Sequence, residues 1–238
     1  MKKLVHKLID GAGYQLLNKK YMPCGINISR DMARDIDIST VKTIFDVGAN
    51  IGNMSLNFLK NFDESQIYAF EPIQNTFSVL RKRTASFSRI KCYQIAFSDR
   101  KKNVEVFLQN DSGLNSLNGA VNLRCPKSNN DSEIVAVTTI GDFCAANEID
   151  YIDMLKTDTE GLDLNVLRGA EPLLESQKIR YVLSEVTFDA KNNRNTQFVD
   201  VQSYLENFGF KLRSFYDQSD FGKKSFMTGC NALFFKQM

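Results

Sequence analysis

The chain is poor in the residues on which much enzyme chemistry depends. It has one histidine, His6, no tryptophan and four prolines among 238 residues. A single histidine argues against a Ser–His–Asp triad and against a multi-histidine metal site. Proton transfer then falls to Asp, Glu, Lys, Tyr or water. The five cysteines, Cys24, Cys92, Cys125, Cys144 and Cys230, form no CxxC pair and are odd in number. That pattern argues against a disulfide framework or zinc ribbon and for reduced, buried thiols in a cytoplasmic protein. Charge of one sign is also lacking. Lys and Arg total 30 against 28 for Asp and Glu, a net of +2, without the basic excess of a nucleic-acid binder. No apolar run approaches the length of a membrane span. In the N-terminal MKKLVHKLID, Lys7 and Asp10 interrupt the apolar stretch before a signal-peptide core can form. What is present is ordinary: 43% hydrophobic and 24% charged residues, the balance of a soluble globular chain.

Residues 1–40 read as a helical N-terminal extension. Leu4, Leu8 and Leu16 recur at helical spacing among Lys2, Lys3 and Lys7. Gly11, Gly13 and Pro23–Gly25 break that pattern, and a second helix is expected from Ser29 to Ile36. The extension is either a lid or membrane-surface helix, giving a peripheral membrane contact, or a helix docked on the domain. Residues 41–238 read as one domain. Short apolar runs at 41–47, 66–70 and 90–96 alternate with helical patterns at 54–62 and 76–87. This β-α-β-α-β order predicts a parallel sheet with helices on both faces. Further strands are expected at 104–108, 133–138, 151–157 and 180–186, with helices at 140–147, 162–168 and 199–208. The runs at 210–215 and 231–235 have no helix between them, so an antiparallel pair at the sheet edge is expected.

The segment Asp46-Val47-Gly48-Ala49-Asn50-Ile51-Gly52 follows the first strand directly. Gly48 and Gly52 allow a tight turn and close approach to a ligand at the carboxyl edge of the sheet. The spacing is neither GxGxxG nor GxxxxGK[ST], so the loop does not look built for phosphate. Asp46 would repel a pyrophosphate and attract an ammonium group. Glu71 ends the second strand 19 residues after Gly52, where a carboxylate can accept two ribose hydroxyls. Its bland reading is a carboxylate facing the dipole of the next helix. Together these acids fit a nucleoside that carries a cation, such as S-adenosylmethionine.

With YAFEP, AFSD at 96–99 and DMLKTDTEGLDLNVLRG at 153–169, the sequence resembles the FkbM-type methyltransferases over roughly residues 41–235. Thr157 and Thr159 depart from the aliphatic or small residues usual there. The resemblance implies a Rossmann-like class I methyltransferase fold: a seven-stranded, mostly parallel sheet with an antiparallel last strand. It implies that Gly48, Asn50 and Gly52 wrap the methionine part and that Glu71 holds the ribose. It further implies that Ser55 reaches the cofactor's carboxylate and that Ala96, Phe97 and Ser98 line the adenine pocket. The implied activity is S-adenosylmethionine-dependent O-methylation of a sugar, glycan or secondary metabolite.

Lys156, Asp158 and Glu160 close the strand over 151–157. Residues two apart on a strand share a face, and the apolar residues before them exclude a solvated face. They are either a structural ion pair or the reaction's acids, with Asp158 or Glu160 as proton acceptor and Asp158 also facing the cofactor. Glu185 closes the following strand. With Asp158 it would make a two-carboxylate site for Mg²⁺; otherwise it hydrogen-bonds the acceptor. Asn115–Leu117, the loop 122–132, Arg30, Asp31 and Asn192–Arg194 lie on segments expected to border the crevice. Two other functions remain open: a non-catalytic nucleoside-binding module of the same fold, and an N-methyltransferase.

Overall fold

In a computed structural model, residues 9, 11–14, 18, 21–107, 132–219 and 227–237 are described. The pattern built on Leu4, Leu8 and Leu16, together with His6, Cys125 and Asn115–Leu117, lies outside them.

The apolar runs become strands where β-branched and aromatic residues stand between turn formers. They are β1 (Thr43–Val47), β2 (Gln66–Phe70), β3 (Ile90–Tyr93), β4 (Ala96–Phe97), β5 (Lys102–Phe107), β6 (Ser132–Thr138), β7 (Ile152–Thr157), β8 (Ile179–Thr187), β9 (Lys211–Ser219) and β10 (Gly229–Phe235). The helices are α1 (Ile28–Met32), α2 (Asn53–Asn61), α3 (Gln74–Thr84), α4 (Ile140–Ala146), α5 (Asp163–Gly169), α6 (Glu171–Glu175) and α7 (Phe198–Glu206).

Seven strands form the main sheet in the order β3-β2-β1-β7-β8-β10-β9. β1 pairs in parallel with β2 and β7, β2 with β3, and β7 with β8. β10 runs antiparallel to both its neighbours. The result is the Rossmann-like class I arrangement, with the antiparallel last strand the sequence implied. The last two strands form the antiparallel pair expected at the sheet edge, and the later of them, β10, is its inner member, between β8 and β9. Its Cys230, Ala232, Leu233 and Phe234 are buried, as an interior strand requires. β9 takes the edge instead, where Lys211 and Arg213 blunt the open backbone.

The third strand is shorter than its apolar run. The chain leaves the main sheet at Gln94, and Ala96–Phe97 pairs with β6 in a second sheet of order β4-β6-β5. The two extra strands expected in the middle are β5 and β6.

One face of the main sheet buries an aromatic cluster. Phe70 meets Phe97 at 4.7 Å and Phe143 at 5.0 Å, and Phe45 meets Phe70 at 5.1 Å. Such tilted and edge-on pairs add to the burial of large rings. The other face takes in part of the extension. Asn27 caps α1 by accepting from the Arg30 N–H at 2.8 Å, and Met32 is fully buried among Ile44, Phe58 and Leu233. The α-helix there stops at Met32, short of the expected Ile36, and continues as turns into the Asp37-capped single turn Ile38–Thr40.

The parallel strands leave their carboxyl ends on one edge of the sheet, with the glycine loop, Glu71, Asp158 and Glu185 along it.

Candidate active site

The glycine loop turns where the sequence placed its glycines. Gly48 and Gly52 have φ of 75° and 86°, and Asn50 between them has φ of 49°. A β-carbon at Gly48 would collide with the Asp158 carbonyl, and one at Gly52 with the Leu80 side chain. The loop is thus pressed against the end of β7, and the Asp158 N–H donates to the Val47 carbonyl at 3.1 Å.

Parallel register sets Asp46 beside Lys156. The Lys156 ammonium lies 3.0 Å from Asp46 Oδ1 and 3.3 Å from Asp158 Oδ2, and donates to the Gly48 carbonyl at 3.1 Å. Burial alone would lower its proton affinity, but Asp158 and Asp46 together outweigh that and the net shift is upward. Ser55 donates to the other Asp46 oxygen at 2.5 Å. Asp46 is fully buried and committed on both oxygens. The cross-strand lysine thus takes up the charge of Asp46, and the Ser55 hydroxyl is turned to that acid.

Glu71 is fastened to the glycine loop. One oxygen accepts from the Asn50 N–H and the other from the Ile73 N–H, each at 3.0 Å. Burial pushes its carboxyl up to about 7, against the pull of those two N–H groups. Each oxygen keeps a lone pair for a further donor.

Beyond Lys156 the charges at the end of β7 are the acids Asp158 and Glu160. The strand does not stay extended past Thr157: Glu160 and Gly161 have φ of 52° and 93°, and the chain turns back into α5. Asp158 stays with Lys156, while Glu160 is carried to Arg194, 3.2 Å away. Burial raises the Glu160 carboxyl to about 7, Arg194 opposes this, and Asp158 adds to it. Glu185 accepts from Asn195 Nδ2 at 2.8 Å. Burial, then the neighbouring Asp158, pushes it up to about 9. A Mg²⁺ held by Asp158 and Glu185, as expected from sequence, would share Asp158 with the Lys156 ammonium 3.3 Å away. Among the described residues there is no group of three or more His, Cys, Asp or Glu that could hold a metal.

Other sequence candidates are placed elsewhere. The Phe97 ring belongs to the aromatic core and is 1% exposed. Ala96 and Ser98 are buried as well, and Ser98 donates to Asp99 at 3.0 Å. Asp31 is an anchor, accepting from Tyr216 OH at 2.9 Å and the Gly25 N–H at 2.8 Å, and Arg30 donates to the Met22 and Pro23 carbonyls. Neither borders the crevice acids. Asn192 and Arg194 do, but Asn193 is exposed. Sequence reasoning missed Asn195 and Asp163. Asp163 is fully buried in the first turn of α5 and accepts from the Thr159 N–H and the Thr196 hydroxyl; burial raises its carboxyl. An acid in the first turn of a helix was the available signal for it. Nothing local marks Asn195.

No helix among the described residues is long and apolar enough to cross a membrane.

The chain is similar to known methyltransferases. A 2-O-methyltransferase NoeI of Sinorhizobium fredii (strain NBRC 101917 / NGR234) is 26% identical over 155 residues, 60% of this chain. The match spans 62% of that relative's length. Among solved structures, M. capricolum TrmK in complex with S-adenosyl-homocysteine superposes with a TM-score of 0.45 at 14% identity, over 87% of this chain and 67% of that one. The METTL16 methyltransferase domain does so with a TM-score of 0.49 at 13% identity, over 88% and 65%. The family model for the methyltransferase FkbM domain matches residues 46–212. That stretch runs from Asp46 through the glycine loop, Glu71 and the acid cluster into β9, and by it the chain belongs to the FkbM methyltransferase family.

Proposed function

We propose that the protein is an S-adenosylmethionine-dependent O-methyltransferase acting on a hydroxyl of a sugar, glycan or secondary metabolite. The observation that carries the reading is Glu71, tied to the Asn50 N–H of a glycine loop that lacks a phosphate cradle. The residues present fit the cofactor. Glu71 has lone pairs for two ribose hydroxyls. Asp158, with its side chain 38% exposed and its backbone against Gly48, offers the carboxylate for an ammonium group that Asp46 does not.

When bound, S-adenosylmethionine supplies a methyl group activated by a cationic sulfur. The chain's own task is to align the acceptor oxygen and take its proton. Asp158 is the proton acceptor in this reading. The Lys156 ammonium lies 3.3 Å from it, and burial raises the proton affinities of Glu185 and Glu160. The 2-O-methyltransferase relative supports oxygen as the acceptor atom.

Calorimetric titration with S-adenosylmethionine and with NAD is the first test, and tight binding of NAD alone would sink the proposal. Incubation with methyl-labelled cofactor and a panel of glycans and hydroxylated metabolites follows, read by mass spectrometry. Label on oxygen is expected. Label only on nitrogen identifies an N-methyltransferase, and cofactor binding without transfer a nucleoside-binding module.

A further inference from the structure

The loop between β8 and α7 is ordered around one side chain. Asn192 Oδ1 accepts from the Arg194 N–H at 2.9 Å and from the Asn195 N–H at 3.3 Å. Its Nδ2 donates to Asn195 Oδ1 at 3.0 Å and to Thr187 Oγ1 at 3.4 Å. The loop's ends are closed by the Thr187 N–H donating to the Thr196 carbonyl at 2.9 Å. Gln197 Nε2 donates to the Asp189 and Asn192 carbonyls. Asparagine suits this place because it both accepts from backbone N–H groups two and three residues on and donates back. The two residues it holds point to different acids: Arg194 to Glu160 at 3.2 Å and Asn195 to Glu185 at 2.8 Å.

We propose that Asn192 is a positioning residue that sets the two carboxyls flanking Asp158, holding Arg194 against Glu160 and Asn195 against Glu185. This rests on the methyltransfer reading for its place in catalysis. Its structural part does not. One turn thus acts on acids supplied by two different strands. Asp158 and Asp163 also face Glu185 and Glu160, so small displacements of the Arg194 guanidinium, 3.2 Å from Glu160, matter. Losing a nearby cation shifts a carboxyl's proton affinity about tenfold or more.

The test is a carboxyl ¹³C NMR titration of the ligand-free full chain, with melting as a check on folding. Arg194→Ala is expected to raise the proton affinity of Glu160 about tenfold, with partial return in Arg194→Lys, and to leave Glu185 nearly unchanged. Asn195→Ala should move Glu185 alone. Asn192→Ala should move both. If Asn192→Ala folds and leaves both titrations at wild type, the proposal is overturned. Should that variant not fold, Asn195→Ala decides, and an unmoved Glu185 overturns it equally. Because neither cofactor nor acceptor is needed, a wild type that fails to bind S-adenosylmethionine would remove the methyltransfer reading and leave this result standing. With a hydroxyl acceptor in hand, Asn192→Ala should lower kcat about tenfold while the affinity for S-adenosylhomocysteine stays within about twofold. Equal loss of both would assign Asn192 to folding only.

Discussion

Asp46 and Glu185 stand near the carboxyl ends of strands in one sheet, separated by β7, and they represent opposite solutions to burying an acid. Asp46 is fully buried but meets a lysine and a serine. Glu185 meets an amide and another acid. The first acid is matched by a buried cation. The second has another acid as its charged neighbour. A structural acid is matched when folding is complete, whereas acids left unmatched keep their protons near neutral pH and can exchange them.

The comparison breaks most directly at Lys156. Lys156→Met would strand the Asp46 carboxylate without its partner and should destabilise the protein by about 3–5 kcal/mol, read by urea unfolding. Adding Asn at Asp46 should recover most of that loss; no recovery would mean that the lysine's packing, not its charge, matters. On the other side, Asp158→Asn should cost turnover about a hundredfold with much less effect on folding. Cofactor affinity should fall by no more than about tenfold, the loss of one charge-assisted contact. Both quantities come from one set of initial-rate and calorimetric measurements.

A third expectation concerns pH. Glu71, Glu160 and Glu185 have raised proton affinities when folded, to about 7, 7 and 9. An acid of this kind contributes stability that is full below the unfolded value near 4.5 and is lost as pH rises through the folded value. Thermal melting of the ligand-free protein should therefore fall between about pH 5 and pH 9. Glu185→Gln should flatten the upper part of that fall, and an unchanged slope would show that Glu185 titrates normally. The smallest effect is expected for Ser55→Ala, about 1 kcal/mol of stability from the lost bond to Asp46, with cofactor affinity within about twofold. A large affinity loss would return Ser55 to the cofactor site.

These expectations also show where the sequence could be read. The glycine loop and Glu71 were legible because each follows its own strand directly, so local order placed them at the carboxyl edge. The lysine partner of Asp46 was not legible because it lies 110 residues away and is set beside it only by parallel register. No local pattern encodes that pairing. The place of Phe97 in the aromatic core was hidden because the chain leaves the main sheet after Tyr93, and the apolar run 90–96 continues across the break. Asn195 was missed because its role exists only once Asn192 has folded the loop back toward β8. The antiparallel pair at the sheet edge was legible because no helix separates its two apolar runs, although the runs do not say which member faces solvent.

The placement of β10 has a consequence for synthesis. In register, Asn231 stands opposite Glu185, so the acid-bearing strand gains its second neighbour only after residues 229–235 have been made. While the ribosome is still adding them, β8 is an open strand edge, a template for wrong pairing. The glycine loop follows β1 directly, whereas β8 and its acid gain their second neighbour only once residues 229–235 have emerged.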